Sequence, residues 1–148
     1  FIIFSISLSS LEQEYSSSQN KFSLLVHKTP TCGCCKKWVN HLEANSFSTM
    51  IRDHQSLQKI KEQYAIKPKY QSCHTAVSKD GYFFEGHIPS KFIKQFLANP
   101  DEDAIGLSVP GMPLGSPGME VEGRFMPYDV LVLFKDGSSK VFAEVREG

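Results

Sequence analysis

Three of the four cysteines in this 148-residue chain lie in one tetrapeptide, Cys32-Gly33-Cys34-Cys35, and the fourth is Cys73. A free cysteine is commonly a small buried hydrophobic residue. Three within four residues exceed what packing needs, so the tetrapeptide constrains the fold and the chemistry together. A short apolar run ends just before it, and helical spacing of apolar residues, including Trp38 and Leu42, follows it. The sequence therefore predicts that the cysteines lie between a strand and the first turn of a helix.

Composition favours one globular domain. The apolar fraction is 41% and the charged fraction is 22%, both near globular averages. Lysine plus arginine number 16, aspartate plus glutamate number 16, and the formal net charge is zero. This balance argues against a nucleic-acid binder or a polybasic membrane protein. No apolar run approaches the roughly 20 residues of a membrane-spanning helix, so no membrane span is expected.

The first 20 residues differ from the rest. Residues 1–8 are mostly apolar, and a polar, serine-rich stretch follows over residues 9–20. This pattern is typical of the end of a secretory signal, whose apolar region is 7–15 residues long and is not part of the mature fold. We therefore predict a leader over residues 1–20, export of the protein, and a single domain over residues 21–148.

Alternating strand and helix patterns predict an α/β fold. The order of predicted elements is βαβ, a second helix, a ββ hairpin and a third helix. The predicted elements are strands at 22–28, 49–52, 73–78 and 82–85, and helices at 33–46, 56–65 and from Pro89 onward. Strand–helix–strand connection predicts parallel pairing in the first half, and the hairpin predicts antiparallel pairing in the second. This order is the thioredoxin-like arrangement.

Residues 100–128 have a different composition from the preceding segment. They hold five of the eight prolines, five of the ten glycines and three of the four methionines. Long loops in compact domains are usually functional or disordered. Because apolar residues are interleaved here, we predict an ordered loop that wraps the domain. A final hairpin, Val130–Phe134 with Lys140–Ala143, is expected around Asp136-Gly137.

Two chemistries fit the cysteines. Cys32 and Cys35 form a C-x-x-C pair at a helix N-terminus, where the helix dipole favours a thiolate, as in a thiol–disulfide oxidoreductase. Cys34 complicates this interpretation, because a third thiol inside the pair invites disulfide scrambling. Metal binding explains Cys34 better, with Cys73 as a fourth sulfur ligand brought back beside the tetrapeptide.

The ligand pattern favours copper over zinc. Structural zinc sites usually take their ligands from two separated pairs, which this spacing does not provide. Crowded thiolates instead suit Cu(I), which can be bridged within a multinuclear cluster. Three further candidate ligands are His74, Met112 and Met119. His74 is equally well explained as a strand histidine, and each methionine as a core residue.

Several motifs resemble a bacterial family in order along the chain. They are residues 29–38 (TPTCGCCKKW), 73–76 (CHTA), 81–89 (GYFFEGHIP), 104–113 (AIGLSVPGMP) and 115–120 (GSPGME). This uncharacterised-domain family of predicted metal-binding proteins includes CopG-like copper-resistance proteins. The resemblance covers about residues 22–143.

The resemblance implies an exported, periplasmic thioredoxin-like domain that binds copper in copper resistance. By motif, it implies that Cys32, Cys34, Cys35 and Cys73 are the ligands and that the two Pro-Gly-Met segments cap the site. It also implies redox cycling of copper between Cu(I) and Cu(II), although we treat the chain as a metal-binding protein before an enzyme. The expected partners are copper ions and other periplasmic copper-handling proteins.

Overall fold

A computed structural model describes residues 22–148; the predicted leader, residues 1–20, lies outside the described residues. This part of the chain forms seven strands and three α-helices. The strands are β1 (Ser23–Lys28), β2 (Ser48–Asp53), β3 (Thr75–Ser78), β4 (Phe83–Glu85), β5 (Ala104–Ser108), β6 (Tyr128–Phe134) and β7 (Ser139–Val145). The helices are α1 (Gly33–Ala44), α2 (Gln58–Gln63) and α3 (Ser90–Ala98), with a 3-10 turn at Pro68–Tyr70. No helix among the described residues is long and apolar enough to cross a membrane.

The strands form one mixed sheet in the order β2-β1-β3-β4-β5-β6-β7. Helix α1 connects β1 to its parallel neighbour β2, which confirms the predicted parallel pairing. β3 is antiparallel to both β1 and β4, so the predicted hairpin is confirmed as well. Its turn contains Gly81 with a φ of +88°, a left-handed conformation that glycine adopts without a steric penalty.

Side chains pack on both faces of the sheet, because the neighbouring residues Phe83 and Phe84 of β4 belong to different clusters. The main core contains the buried side of α1, including Trp38 and Leu42, packed with β1 residues such as Val26 and with Phe96 of α3. A smaller cluster around Phe83 lies under the 3-10 turn. Cys35 shares the buried face of α1 and is completely buried, as the helical spacing of the sequence predicts. The core thereby holds the first turn of α1 rigidly against the end of β1.

The prediction of one long loop over residues 100–128 is partly wrong, because Ala104–Ser108 form strand β5. This strand pairs in parallel with β4 and antiparallel with β6. A side chain at Gly106 would approach the Phe83 carbonyl oxygen to 2.1 Å, so only glycine permits this close strand contact. Glycine in a strand is a poor sequence signal, which explains the error. The rest of the segment is irregular, and β6 and β7 form the predicted final hairpin.

Candidate metal centre

The tetrapeptide occupies the junction between β1 and α1. Cys32 precedes the first helical residue and provides no side-chain cap for the helix, which leaves its sulfur available for other contacts. Cys35 points into the core, whereas Cys32 and Cys34 are half-buried. Cys73 lies in the turn before β3. Because His27 of β1 is in register with Thr75 of β3, this turn stands beside the end of β1.

All four cysteine sulfurs lie within 4.8 Å of one another. Cys32 and Cys35 are joined by a disulfide, and Cys34 and Cys73 are free thiols. The Cys73 Sγ lies 3.4 Å from the Cys35 Sγ and 4.0 Å from the Cys34 Sγ. The Cys34 Sγ lies 3.5 Å from the Cys32 Sγ. The structure thus brings together the four cysteines named from the sequence, in an oxidised form of the cluster.

Two histidines extend this cluster on the side of Cys73. The His87 Nε2 lies 3.1 Å and the His74 Nδ1 lies 3.4 Å from the Cys73 Sγ. Cys73, His74 and His87 form a second group whose possible ligand atoms all lie within 4.8 Å of one another. Our sequence reasoning did not single out His87. The signal that could have found it was its place in the family-like segment GYFFEGHIP.

Backbone carbonyls select the tautomer of both histidines. The His74 Nε2 lies 2.9 Å from the Gly86 carbonyl oxygen, and the His87 Nδ1 lies 2.7 Å from that of Pro117. A carbonyl oxygen can only accept, so these two ring nitrogens carry the hydrogen. In the neutral rings, the nitrogens that face Cys73 are therefore unprotonated, and each presents a lone pair suited to a metal ion.

Burial favours the neutral rings. It is the largest cause that lowers the pKa of His87 and that holds the pKa of the fully buried His74 well below its ordinary value. His87 also lowers the pKa of His74, because two nearby imidazolium charges would repel each other. Both imidazoles are consequently neutral near pH 7 and ready to act as ligands.

The pKa of the Cys73 thiol is shifted in the opposite direction. Burial, followed by the nearby Cys34, raises the pKa of Cys73 to about 12. Cys73 therefore carries its proton at neutral pH in this form of the protein. A metal ion that binds its sulfur must displace this proton, because the thiolate is the metal ligand.

Both Pro-Gly-Met segments border the cluster. A side chain at Gly118 would approach the Cys34 carbonyl oxygen to 2.7 Å and the Trp38 amide nitrogen to 2.9 Å, so this loop lies directly on the first turns of α1. Gly111 makes two contacts with the turn before Cys73: its amide donates to the Gln71 carbonyl at 3.1 Å, and its carbonyl accepts from the Ser72 hydroxyl.

The methionines that follow these glycines differ in exposure. Met112 is 44% exposed, and Met119 is half-buried. The backbone thus brings both residues to the borders of the cluster. Coordination by their thioether sulfurs stays a prediction.

Comparison with known proteins shows the family to which the chain belongs. The family model "Protein of unknown function, DUF411" matches residues 70–119. A solved structure named copper resistance protein CopG, form 2, is 40% identical; the match covers 84% of this chain and 98% of that chain, with a TM-score of 0.79. This chain belongs to the CopG-like copper-resistance family.

A second CopG structure, form 1, is 39% identical over 85% of this chain and 98% of that one, also with a TM-score of 0.79. No curated protein gives a significant match. The family resemblance seen in the sequence is therefore confirmed. The segment that the family model matches contains Cys73, His74, His87, Met112 and Met119, but not the cysteine tetrapeptide.

Proposed function

We propose that this CopG-like protein binds copper as Cu(I) through Cys32, Cys34, Cys35 and Cys73 and serves in periplasmic copper resistance. The observation that carries the proposal is the convergence of all four sulfurs within 4.8 Å. Thiolates are soft ligands and prefer soft ions such as Cu(I). The copper-resistance name of two similar structures supports the choice of metal.

Zinc is the less favoured ion. Sulfurs that lie 3.4–4.0 Å apart are compatible with a single tetrahedral ion as well as with bridged copper. Three ligands within four residues, however, would have to occupy three of the four corners of any such tetrahedron, which crowds one face of it. Thiolates that bridge several Cu(I) ions relieve this crowding, because each ion needs only two or three soft ligands.

Loading requires reduction of the cluster. The Cys32–Cys35 disulfide must take up two electrons before either sulfur becomes a thiolate ligand. The two neutral imidazoles of His74 and His87 then add nitrogen donors that suit copper in either oxidation state. We include His87 with His74, Met112 and Met119 as additional ligand candidates, and we include redox cycling of copper as a candidate activity.

Thiol–disulfide oxidoreductase activity is the second candidate function. The Cys32–Cys35 disulfide at the N-terminus of α1 favours it. Two further sulfurs within 3.5 Å of this disulfide argue against it, because they offer internal partners that compete with a substrate. Insulin reduction that survives Cys73→Ser would support the oxidoreductase.

We also propose a thioredoxin-like classification and export. The arrangement β2-β1-β3-β4, with α1 between parallel β1 and β2 and with α3 after the hairpin, supports the classification. The signal-like residues 1–20 support export to the periplasm. Other periplasmic copper-handling proteins are the proposed donors and acceptors of the metal.

The decisive experiment is purification of the chain without oxygen from cells supplied with copper and zinc. Metal per chain is measured together with the number of free thiols. More than one copper per chain with all four cysteines protected supports the proposal. One zinc per chain, or no metal with a Cys32–Cys35 disulfide, overturns it in favour of a zinc domain or an oxidoreductase respectively.

A further inference from the structure

A buried ion pair lies behind the turn that carries Cys73. Lys61 of α2 is 6% exposed, Glu85 at the end of β4 is fully buried, and their charged groups are in direct contact. Neither residue is one of the candidate ligands. A buried ion pair contributes little net stability compared with apolar residues of the same size. Its partners within the fold therefore point to what it does.

The Glu85 carboxylate accepts hydrogen bonds from residues on both sides of Cys73. Its Oε2 accepts a hydrogen bond from the Ser72 amide at 2.9 Å, and its Oε1 accepts one from the Thr75 hydroxyl at 2.6 Å. The Lys61 Nζ donates to the same Thr75 hydroxyl at 3.1 Å. One carboxylate thus bridges Ser72, the residue before Cys73, and Thr75, which lies two positions after Cys73 and begins strand β3.

The two residues after Glu85 hold the same turn from another direction. The Gly86 carbonyl accepts a hydrogen bond from the His74 Nε2, and the His87 Nε2 contacts the Cys73 sulfur. Thr75 and Glu85 are also direct partners in the β3–β4 ladder. The Glu85 side chain and the two residues that follow it therefore fix the position of Cys73 through four contacts, with Ser72, Thr75, His74 and Cys73 itself.

We propose that Glu85, held by Lys61, is a positioning residue that keeps Cys73 against the other three cysteines. Charge is needed here because a carboxylate can accept all three hydrogen bonds at once, and Lys61 makes its burial tolerable. Without Lys61, Glu85 is an unpaired buried charge. Its side chain then moves toward solvent, or its carboxylate takes up a proton. Either change loosens the Ser72–Thr75 turn. The inference rests on the proposed function only for its consequence for copper.

The reactivity of Cys73 tests the positioning directly. In the Cys34→Ser chain with the Cys32–Cys35 disulfide intact, Cys73 is the only free thiol among the described residues. We expect Lys61→Met to accelerate alkylation of Cys73 by iodoacetamide about tenfold, because local opening of the turn becomes easier. Loss of the lysine charge alone would disfavour the thiolate and slow alkylation, so faster reaction reports a released turn.

Lys28→Met is the matched control. Lys28 is also 6% exposed and pairs with a carboxylate, that of Asp53, but its ammonium group hydrogen-bonds only to Asp53 and to the Thr29 carbonyl among the described residues, not to the Ser72–Thr75 turn. We expect the rate of Cys73 alkylation in the Lys28→Met protein to stay within about twofold of the parent rate. Equal rates in the Lys61→Met and Lys28→Met proteins would overturn the inference.

A second variant guards against a folding failure. Glu85→Gln combined with Lys61→Met removes both charges with little change in volume, so it leaves no unpaired buried charge. It also removes one acceptor oxygen from the turn, and we expect faster alkylation of Cys73 in a chain that melts cooperatively. A parental alkylation rate in this folded variant would likewise overturn the inference.

Copper loading separates this inference from the proposed function. With all four cysteines present, Lys61→Met is loaded anaerobically with Cu(I), and copper per chain and the ultraviolet thiolate-to-copper absorption are measured. Less copper and a changed absorption band, together with faster alkylation, support both. Faster alkylation with unchanged copper supports the positioning role and counts against Cys73 as a ligand. Unchanged alkylation overturns the positioning role whatever the copper content.

Discussion

The sulfur of Cys35, in the first turn of α1, lies 3.4 Å from the sulfur of Cys73, 38 residues later in the chain. The sheet creates this contact. β1 and β3 are antiparallel neighbours, so the end of β1 and the beginning of β3 meet at one edge. The chain leaves β1 into the cysteine tetrapeptide and enters β3 from Cys73. The two segments that carry all four cysteines are thereby held at one place by backbone pairing.

We expect Cys34→Ser and Cys73→Ser each to lower the number of copper ions bound per reduced chain. A hydroxyl is a poor ligand for Cu(I), so removal of one bridging thiolate leaves at least one ion with too few ligands. Metal analysis after anaerobic loading and desalting measures the change. Thr31→Ser, just outside the tetrapeptide, is the control and should load like the parent. Parental loading in both cysteine variants would exclude the four-cysteine site.

The Cys32–Cys35 disulfide predicts that copper binding depends on redox state. Oxidised chain should bind fewer copper ions than chain treated with a phosphine reductant, because disulfide sulfurs are not thiolates. Reduction of the same sample should restore full loading. Equal copper per chain before and after reduction would show that Cys32 and Cys35 are not needed as ligands.

His87→Asn tests the residue that our sequence reasoning missed. The shorter amide can still donate to the Pro117 carbonyl in place of Nδ1, but it has no Nε2 to face the cluster. We expect Cu(I) affinity to fall about tenfold, the lower end of the effect of groups that support a metal site. Competition against a Cu(I) chelator measures this affinity. His54→Asn, whose ring pairs with His27 instead, is the control and should keep parental affinity.

Gly118→Ala tests the contact between the second Pro-Gly-Met segment and α1. Gly118 has a φ of +92°, and an added Cβ would meet the Cys34 carbonyl oxygen at 2.7 Å. We expect a loss of about 1–3 kcal/mol in the free energy of unfolding. Urea titration of the metal-free protein measures it. Gly33→Ala is the matched control, because a Cβ at Gly33 has no neighbour within 4 Å; its stability should change by less than about 1 kcal/mol.

Stability should fall in mild acid. The pKa of the buried His74 is lowered in the folded state, so its contribution to stability is fully present above its unfolded pKa near 6.5 and is lost as pH falls below that value. The pKa values of His27, His41 and His87 are lowered as well, and burial is the largest cause for each. They act in the same direction.

Urea titration of the metal-free chain from pH 8 to pH 5 checks this dependence. We expect little change from pH 8 to pH 7 and a steepening loss below pH 6.5, with His74 alone contributing up to about 1.4 kcal/mol per pH unit. His74→Gln removes one titrating group, so its slope should be smaller. Equal slopes in the parent and in the His74→Gln chain would contradict neutral burial of His74.

Local sequence patterns were sufficient for most of the fold. Helical spacing after the tetrapeptide predicted α1 and the burial of Cys35, and the Gly81 turn predicted the β3–β4 hairpin. β5 escaped prediction because Gly106 has no side chain to mark a strand, although the approach of Phe83 makes glycine necessary there. Short-range periodicity does not record which strand will become a neighbour.

The candidate centre divides in the same way. The tetrapeptide by itself determined that three thiols share one helix start, because residues two or three apart in a helical turn cannot separate far. Only the tertiary structure decided that His87 faces Cys73. It also decided that Glu85, paired with Lys61, holds the Ser72–Thr75 turn that carries Cys73. These contacts join residues 14 and 24 positions apart, through hydrogen bonds that exist only after the sheet has formed. Sequence determined the donor atoms, and packing decided which of them converge, because convergence depends on long-range pairing of the backbone.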